Sequence, residues 1–160
     1  MQPMNQSVTR RQIGLILGGL GVAPAAAQPA ASGTSLHQEV DFQATPVRLY
    51  EILLDAKQFA AFTKDTAELQ PRAGEPFKLF GGRITGRNVD LAPNRRIVQA
   101  WRSESWPAGV YSIVRFELAA GGSGARIVFD HTGFPEGEKE SLEAGWPRMY
   151  WNPLKKYLSA

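Results

Sequence analysis

Five strand-like segments follow one another closely between residues 76 and 132, and their spacing constrains the fold more than any other feature. They are rich in β-branched and aromatic residues, and the short stretches between them carry glycine, proline or asparagine, as in hairpin turns. Because such short connections place successive strands side by side, the sequence predicts an antiparallel meander. The predicted strands are Pro76 to Phe80, Arg83 to Leu91, Arg96 to Arg102, Val110 to Ala119 and Ala125 to Thr132.

A further strand and two short helices precede this meander. Apolar and polar residues alternate from Leu36 to Phe42, which is the period of a half-buried strand. Thr45 can then cap a helix that has Pro46 at its first position and ends near Asp55. Asp55 can cap a second short helix in turn, so the chain is expected to form a six-stranded sheet with two helices after its first strand.

The last predicted element is a long helix from Glu138 to Leu158, with apolar residues at helical spacing. Pro147 and Pro153 each remove an amide donor from it, so we expect a kink or break near Trp146. The sheet needs a cover for its apolar face, and this helix is the only element large enough to supply one. The fold class is therefore α+β, with a curved antiparallel sheet under the C-terminal helix.

The composition excludes several kinds of site. The chain contains no cysteine, which excludes disulfides, thiolate metal ligands and a cysteine nucleophile. Its two histidines, His37 and His131, have no acidic cluster at ligand spacing beside them, so the sequence predicts no metal site and no cofactor.

Residues 1–27 have the order of parts found in a cleavable export signal of the twin-arginine type. Arg10 and Arg11 precede a glycine-rich apolar core from Ile13 to Val22, and small residues end at Ala27, where we place the cleavage. The alternatives are an uncleaved anchor and a leader without function, but the core is about ten residues long and a spanning helix needs roughly 20. Residues 28–35 are predicted to be a flexible linker, and the protein is expected to be periplasmic or secreted.

Cleavage also changes the charge balance. Without Arg10 and Arg11 the chain carries 16 basic and 15 acidic residues, so it is nearly neutral. This balance gives no support to nucleic-acid binding, and no stable membrane insertion is expected after cleavage.

Four local sequences are distinctive: Phe77 to Gly86, Leu91 to Arg102, Gly145-Trp146 and Tyr150 to Lys155. Together they resemble the family named after the activator of the heat-shock protein 90 ATPase. The resemblance covers Leu36 to Leu158, and residues 36–160 are taken as one domain. The family lies in the SRPBCC superfamily, with START and birch-pollen-allergen proteins, so the resemblance implies a helix-grip fold that leaves a cavity between sheet and helix.

Aromatic residues on the predicted inner faces are candidates for lining this cavity. Most of them are expected to be core, but a mainly apolar lining with a few polar groups suits a lipid-like or aromatic ligand. The candidate ligand-binding residues are Phe62, Phe80, Trp101, Phe116, Phe129, His131, Trp146 and Tyr150.

His131 is the one residue in that set whose side chain normally titrates near neutral pH. Alternation on its strand points His131 inward and Asp130 outward, so the two cannot form a dyad. His131 could act as a general base, or it could be a core histidine bonded to a neighbour, which is the more common case.

Arginines cluster in the central strands, at positions 83, 87, 95, 96, 102 and 115. They could form a basic surface that docks an acidic partner or a membrane. Asp90, Glu104 and Glu117 lie among them, which favours a solvated face of mixed charge.

Three functional hypotheses follow. The first is an exported, non-catalytic domain that binds a small apolar ligand between sheet and helix. The second is a co-chaperone-like protein-interaction domain, which the export signal disfavours because the chaperone and ATP lie inside the cell. The third is a cyclase-type enzyme with His131 as base.

Overall fold

The structure is a computed structural model that describes residues 33–160. The predicted signal peptide, with Arg10, Arg11 and Ala27, lies outside the described residues, and so does most of the predicted linker. These assignments stay predictions.

One six-stranded antiparallel sheet forms the body of the fold, as predicted. Its strands are β1 (Ser35–Phe42), β2 (Pro76–Leu79), β3 (Ile84–Ala92), β4 (Arg96–Ser103), β5 (Ser112–Gly121) and β6 (Gly124–Thr132). The spatial order is β1-β6-β5-β4-β3-β2, so the last five strands form the expected meander and β1 pairs with β6. Every connection within the meander joins neighbouring strands, and this places the inner-face residues of all five strands under one cover.

Two short helices leave the sheet after β1, and both begin at the predicted caps. Helix α1 (Pro46–Leu54) starts where Thr45 Oγ1 accepts a hydrogen bond from the Arg48 amide at 3.2 Å. Helix α2 (Ala56–Thr63) starts where Asp55 Oδ1 accepts one from the Gln58 amide at 2.8 Å. Each cap satisfies an amide that has no partner in the first helical turn.

The C-terminal helix has three segments: α3 (Lys139–Trp146), a π-helical turn (Pro147–Trp151) and α4 (Asn152–Leu158). The irregularity expected near Trp146 is this π turn, and the helix continues through it. Pro147 has no N–H to donate to the carbonyl of Glu143, and Gln38 Nε2 of β1 donates to that carbonyl instead, at 3.2 Å. The same Gln38 side chain accepts a hydrogen bond from Trp151 Nε1 at 2.6 Å, so one amide fixes both sides of the π turn to the sheet.

The core lies between the inner face of the sheet and the helices, and aromatic rings dominate it. Phe59 of α2, Phe116 of β5 and Phe129 of β6 are at most 2% exposed, and Leu154 of α4 is fully buried beside them. Within residues 33–160, no helix has both the length and the apolar character that a membrane crossing needs.

The outer face of the sheet carries ion pairs across neighbouring strands. Asp130 accepts from His37 at 2.7 Å and from Arg115 at 2.9 Å. Arg126 and Asp41 form a second pair at 2.8 Å, and Arg96 pairs with Asp90 at the far end. Several of the central-strand arginines are therefore balanced by carboxylates, in line with a mixed-charge face.

Gly86 of β3 occupies a position with no room for a side chain. A Cβ atom there would collide with the backbone carbonyl oxygen of Ala100 on β4 and with the ring of Phe77 on β2. Phe77 is 2% exposed, so its ring cannot move outward without leaving the core. The absence of a side chain at Gly86 lets three strands pack closely where the sheet curves.

We predict that Gly86→Ala lowers the free energy of unfolding by about 2 kcal/mol or more, because overpacking a filled site forces backbone and ring to shift. Urea unfolding followed by circular dichroism would measure it. Gly145→Ala in α3 is the matched control: its new methyl group meets nothing within 4 Å, and the change is expected to stabilise the helix by roughly 0.5–1 kcal/mol. Equal stability of the Gly86→Ala protein and the unaltered chain would contradict this account.

Candidate functional site

A cleft of about 310 Å³ opens between the C-terminal helix and the meander, at the start of β3 and the end of β4. Its floor consists of Trp101, Trp146 and Tyr150, each at most 5% exposed. Its walls are apolar side chains, and its mouth carries charged and hydroxyl groups. The wall and mouth residues are Phe80, Ile84, Leu142, Gly145 and Met149, then Arg83, Ser103, Glu104, Ser105 and Arg148.

The three floor rings are in mutual contact. The centroid of Trp146 lies 4.9 Å from that of Trp101 and 4.6 Å from that of Tyr150. Trp101 and Tyr150 are 5.9 Å apart. These separations are typical of aromatic pairs in contact, so the floor is a continuous apolar surface.

A buried polar chain holds the indole of Trp101 in place. Trp101 Nε1 donates to Gln99 Oε1 at 3.0 Å, and Gln99 Nε2 donates to Asn88 Oδ1 at 2.9 Å. Asn88 Nδ2 then donates to the carbonyls of Gln70 and Arg72 in the loop before β2. Each donor and acceptor along this chain is satisfied away from the cleft, which keeps the buried amides from costing stability.

A second chain holds Trp146 and determines the tautomer of His131. Trp146 Nε1 donates to His131 Nδ1 at 3.1 Å. An indole nitrogen is only ever a donor, so Nδ1 is unprotonated and the proton of the neutral imidazole lies on Nε2. His131 Nε2 therefore donates to Ser112 Oγ at 2.7 Å, and the Ser112 hydroxyl donates onward to the Trp101 carbonyl at 3.4 Å.

This arrangement gives His131 a structural role. A base that activates Ser112 would need to accept the hydroxyl proton at Nε2, but Nε2 already carries a proton. His131 is fully buried among aromatic rings, and this burial lowers its pKa to about 4. Asp130, the next residue, faces the opposite side of the sheet, as expected, where it binds His37 and Arg115.

The structure divides the eight predicted ligand-binding residues into two sets. Phe80, Trp101, Trp146 and Tyr150 come together around the cleft. Phe116, Phe129 and His131 lie in the core against Trp146, with ring centroids 4.2 to 6.0 Å from its own. Phe62 borders a separate depression between α2 and α4. Ligand binding by any of the eight stays a prediction.

Sequence reasoning missed the polar residues that hold the floor and line the mouth. Gln99 and Ser112 have the same strand parity as buried apolar neighbours, and this parity could have placed them on the inner face. Arg148 gave no such signal, since its position at the mouth depends on the π turn. Across residues 33–160, no three histidine, aspartate or glutamate side chains converge as metal ligands would.

Comparison with known proteins matches residues 43–159 to the family described as "Activator of Hsp90 ATPase homolog 1-like protein". The chain is 32% identical over 126 residues to "Activator of 90 kDa heat shock protein ATPase homolog" of Dictyostelium discoideum, covering 78% of this chain and 33% of that protein. It is 29% identical over 115 residues to the human "homolog 1", covering 72% and 34%. The chain thus spans about a third of the length of the curated relatives it matches.

Solved structures show the same fold. An HSP90 activator from Plasmodium falciparum superimposes with a TM-score of 0.75 at 22% identity, over 79% of this chain and 97% of that one. The solution structure of the Aha1 dimer from Colwellia psychrerythraea gives 0.66 at 16% identity, over 78% and 95%. At these identities the similarity is one of fold alone, and it confirms the predicted helix-grip architecture.

We predict that His131 makes the protein less stable as the pH falls from about 6.5 to about 4. Its pKa is lower in the folded protein than in the unfolded chain, so the unfolded chain binds more protons in this window and the free energy of unfolding falls. The loss is ~3 kcal/mol in total. Urea unfolding at several pH values would measure it, and His131→Gln should flatten the slope.

The two histidines provide an internal control. Hydrogen bonding to Asp130 raises the pKa of His37 above its usual 6.5. In a nuclear magnetic resonance titration of the unaltered chain, one histidine should therefore titrate above 6.5 and the other only near pH 4. Two titrations near 6.5 would contradict the buried, neutral state of His131.

Proposed function

Since the chain belongs to the family of Activator of Hsp90 ATPase homolog 1-like proteins, we propose that it is a non-catalytic binding domain that holds a small apolar ligand in the cleft. The cleft itself is the observation that carries this proposal: about 310 Å³ of space over a floor of Trp101, Trp146 and Tyr150. Concave, mainly apolar sites with few polar groups are the usual form of small-molecule sites.

The floor is suited to an apolar ring or chain because its indole donors are already used. Trp101 Nε1 bonds to Gln99 and Trp146 Nε1 bonds to His131, both behind the floor. A ligand therefore meets ring faces without displacing any protein hydrogen bond. The volume equals that of about ten water molecules, which fits one ring system or a short chain and not a two-chain lipid.

Nothing around the cleft forms a catalytic set within the described residues. Ser103 and Ser105 bond to each other at 2.9 Å and have no histidine beside them. The cleft carries one carboxylate, Glu104, so it lacks the paired carboxylates of acid and base catalysis. The His131 imidazole is committed to Trp146 and Ser112.

We propose further that the protein acts in the periplasm or outside the cell. The support is the order of parts in residues 1–27, with Arg10 and Arg11 before a short glycine-rich apolar core and Ala27 at the end of a small-residue stretch. A domain without cysteine needs no oxidising compartment to fold, which suits a substrate that folds before it crosses the membrane.

A second candidate function is a protein-interaction role. The names of the curated relatives favour it, since they describe activators of the 90 kDa heat-shock protein ATPase. Exposed apolar side chains at the start of β5 are suited to such a role: Tyr111, just before the strand, is 54% exposed, and Ile113 on its outer face is 41% exposed.

For ligand binding, we predict that native mass spectrometry of protein from the exported fraction detects an added small-molecule mass. Gly145→Leu should remove that mass, because Gly145 lines the cleft and its added side chain extends into open space. Gly145→Ala is the control that should retain the mass. Protein that is always empty, in native and extracted samples alike, would contradict ligand binding.

For export, we predict that the mature protein begins at Gln28 and that replacing both Arg10 and Arg11 with lysine leaves the full-length chain in the cytoplasm. Lysine keeps the positive charge, so a chain that uses the general secretory route would be exported as before, whereas a chain that depends on the twin-arginine route would be retained. Cell fractionation with intact-mass measurement distinguishes these results. Unchanged export of the lysine variant would exclude the twin-arginine route.

For the interaction role, we predict that the full chain raises the turnover of a purified 90 kDa heat-shock protein ATPase if this role is correct. Tyr111→Ser should then reduce the stimulation, whereas Val47→Ser, on α1 and 45% exposed in the unaltered chain, should not. No change in turnover at saturating concentration would rule the role out.

A further inference from the structure

The mouth of the cleft contains two arginines, and they differ in their partners. Arg83 bonds to the Asp65 carboxylate and to the Phe80 carbonyl, so its charge is already compensated. Arg148 is exposed and makes no hydrogen bond or ion pair to any residue in the range 33–160. Its guanidinium is therefore an uncompensated cation beside an apolar cleft.

One of the floor residues, Tyr150, carries a polar group that is also without a partner. Tyr150 is 3% exposed, and its hydroxyl bonds to no other residue within 33–160. Trp106 Nε1 is the only completely enclosed side-chain polar atom of these residues that lacks a partner, so the Tyr150 hydroxyl is not completely enclosed. The cleft is the space that Tyr150 borders.

A buried hydroxyl without a partner costs stability unless a ligand or water satisfies it. Burial raises the pKa of Tyr150 well above 10, so the group stays protonated and is able to donate. A ligand that brings an acceptor atom to the cleft would recover this cost.

We propose that the cleft selects a small organic anion, an aryl or short alkyl carboxylate. Its apolar body lies on Trp101 and Trp146, its carboxylate lies at the mouth near Arg148, and Tyr150 is a further donor on the cleft surface. This inference rests on the proposed ligand binding and adds the chemical class of the ligand.

The opposite charge preference has one argument in its favour, since indole faces attract cations and Glu104 lies at the mouth. Arg83 is paired with Asp65, so Arg148 and Glu104 are the remaining charged groups of the lining, one of each sign. A carboxylate could bond to Arg148 and to the Tyr150 hydroxyl together, whereas an ammonium group would have Glu104 as its one charged partner. The combination of an unpaired arginine and a hydroxyl donor thus favours an anion.

Three probes with the same ring system test the charge preference: 2-naphthoate, 2-naphthamide and 2-naphthylmethylamine. Calorimetric titration of the full chain should show 2-naphthoate binding roughly fivefold more tightly than 2-naphthamide, as expected for an exposed charge pair, with the amine weakest. The preference should fade in high salt, because salt screens exposed charges.

Single substitutions test whether the preference for the carboxylate over the amide arises at the cleft. Arg148→Gln should weaken 2-naphthoate to the level of the amide and leave the amide unchanged. Arg95→Gln is the matched control, because Arg95 lies in the turn between β3 and β4, at the opposite end of these strands from the cleft. Tyr150→Phe should weaken both ligands, and Glu104→Gln should tighten the carboxylate.

The outcomes separate the two proposals. If none of the probes binds and the purified protein is empty, the ligand-binding function itself fails. If the amide binds as tightly as the carboxylate, or the amine binds best, ligand binding stands and the anion preference is overturned. Indole N–H resonances locate the site: those of Trp101 and Trp146 should shift, and that of Trp151 should not, since it is bonded to Gln38 away from the cleft.

Discussion

The hydrogen bond from Trp146 Nε1 to His131 Nδ1 joins the C-terminal helix to the centre of the sheet. It determines the tautomer of the histidine, and through the histidine it orients Ser112 toward the carbonyl of Trp101. Both tryptophans of the cleft floor are thus held by one continuous polar chain. Without this chain, a buried indole N–H, an imidazole and a hydroxyl would lose their partners. A buried polar group without a partner lowers the stability of the fold by its full desolvation cost.

A second constraint acts at the other side of the helix, where Pro147 leaves the carbonyl of Glu143 without its helical donor. Gln38 supplies that donor from β1 and accepts from Trp151 with its other amide atom. The first strand therefore does more than close the edge of the sheet. It compensates for a proline that is more than one hundred residues away in sequence, and this explains how a helix with two prolines packs closely.

The sheet and the caps could be predicted because their signals are local. Alternation located all six strands to within two residues at each end, and Thr45 and Asp55 begin the helices they were expected to begin. The pairing of His131 with Ser112 could not be predicted, because it depends on the register of β5 against β6, which alternation does not determine. The position of Arg148 at the mouth could not be predicted either, because it depends on the π turn and not on local residue preferences.

The spacing of apolar residues in that helix does indicate its irregular winding. Five of its buried or half-buried apolar residues recur every four positions, at 142, 146, 150, 154 and 158, and Met149, Trp151 and Tyr157 lie beside this series. An α-helix turns by about 100° per residue, so a strict four-residue repeat drifts around it by roughly 40° at each step. A π turn takes up an extra residue and brings the repeat back toward the sheet, so the repeat itself is a sign of irregular winding.

The π turn also combines two roles in one short segment of the helix: it packs against the core, and it lines the cleft. Segment α3 before it and α4 after it keep their packing against the sheet and α2, while the turn itself contributes Arg148, Met149 and Tyr150 to the cleft. Arg148 is exposed and Met149 is half-buried, whereas Tyr150 and Trp151 belong to the core. Substitutions at positions 148 and 149 can therefore change the lining of the cleft through two adjacent codons, with little change to the residues that make the protein fold.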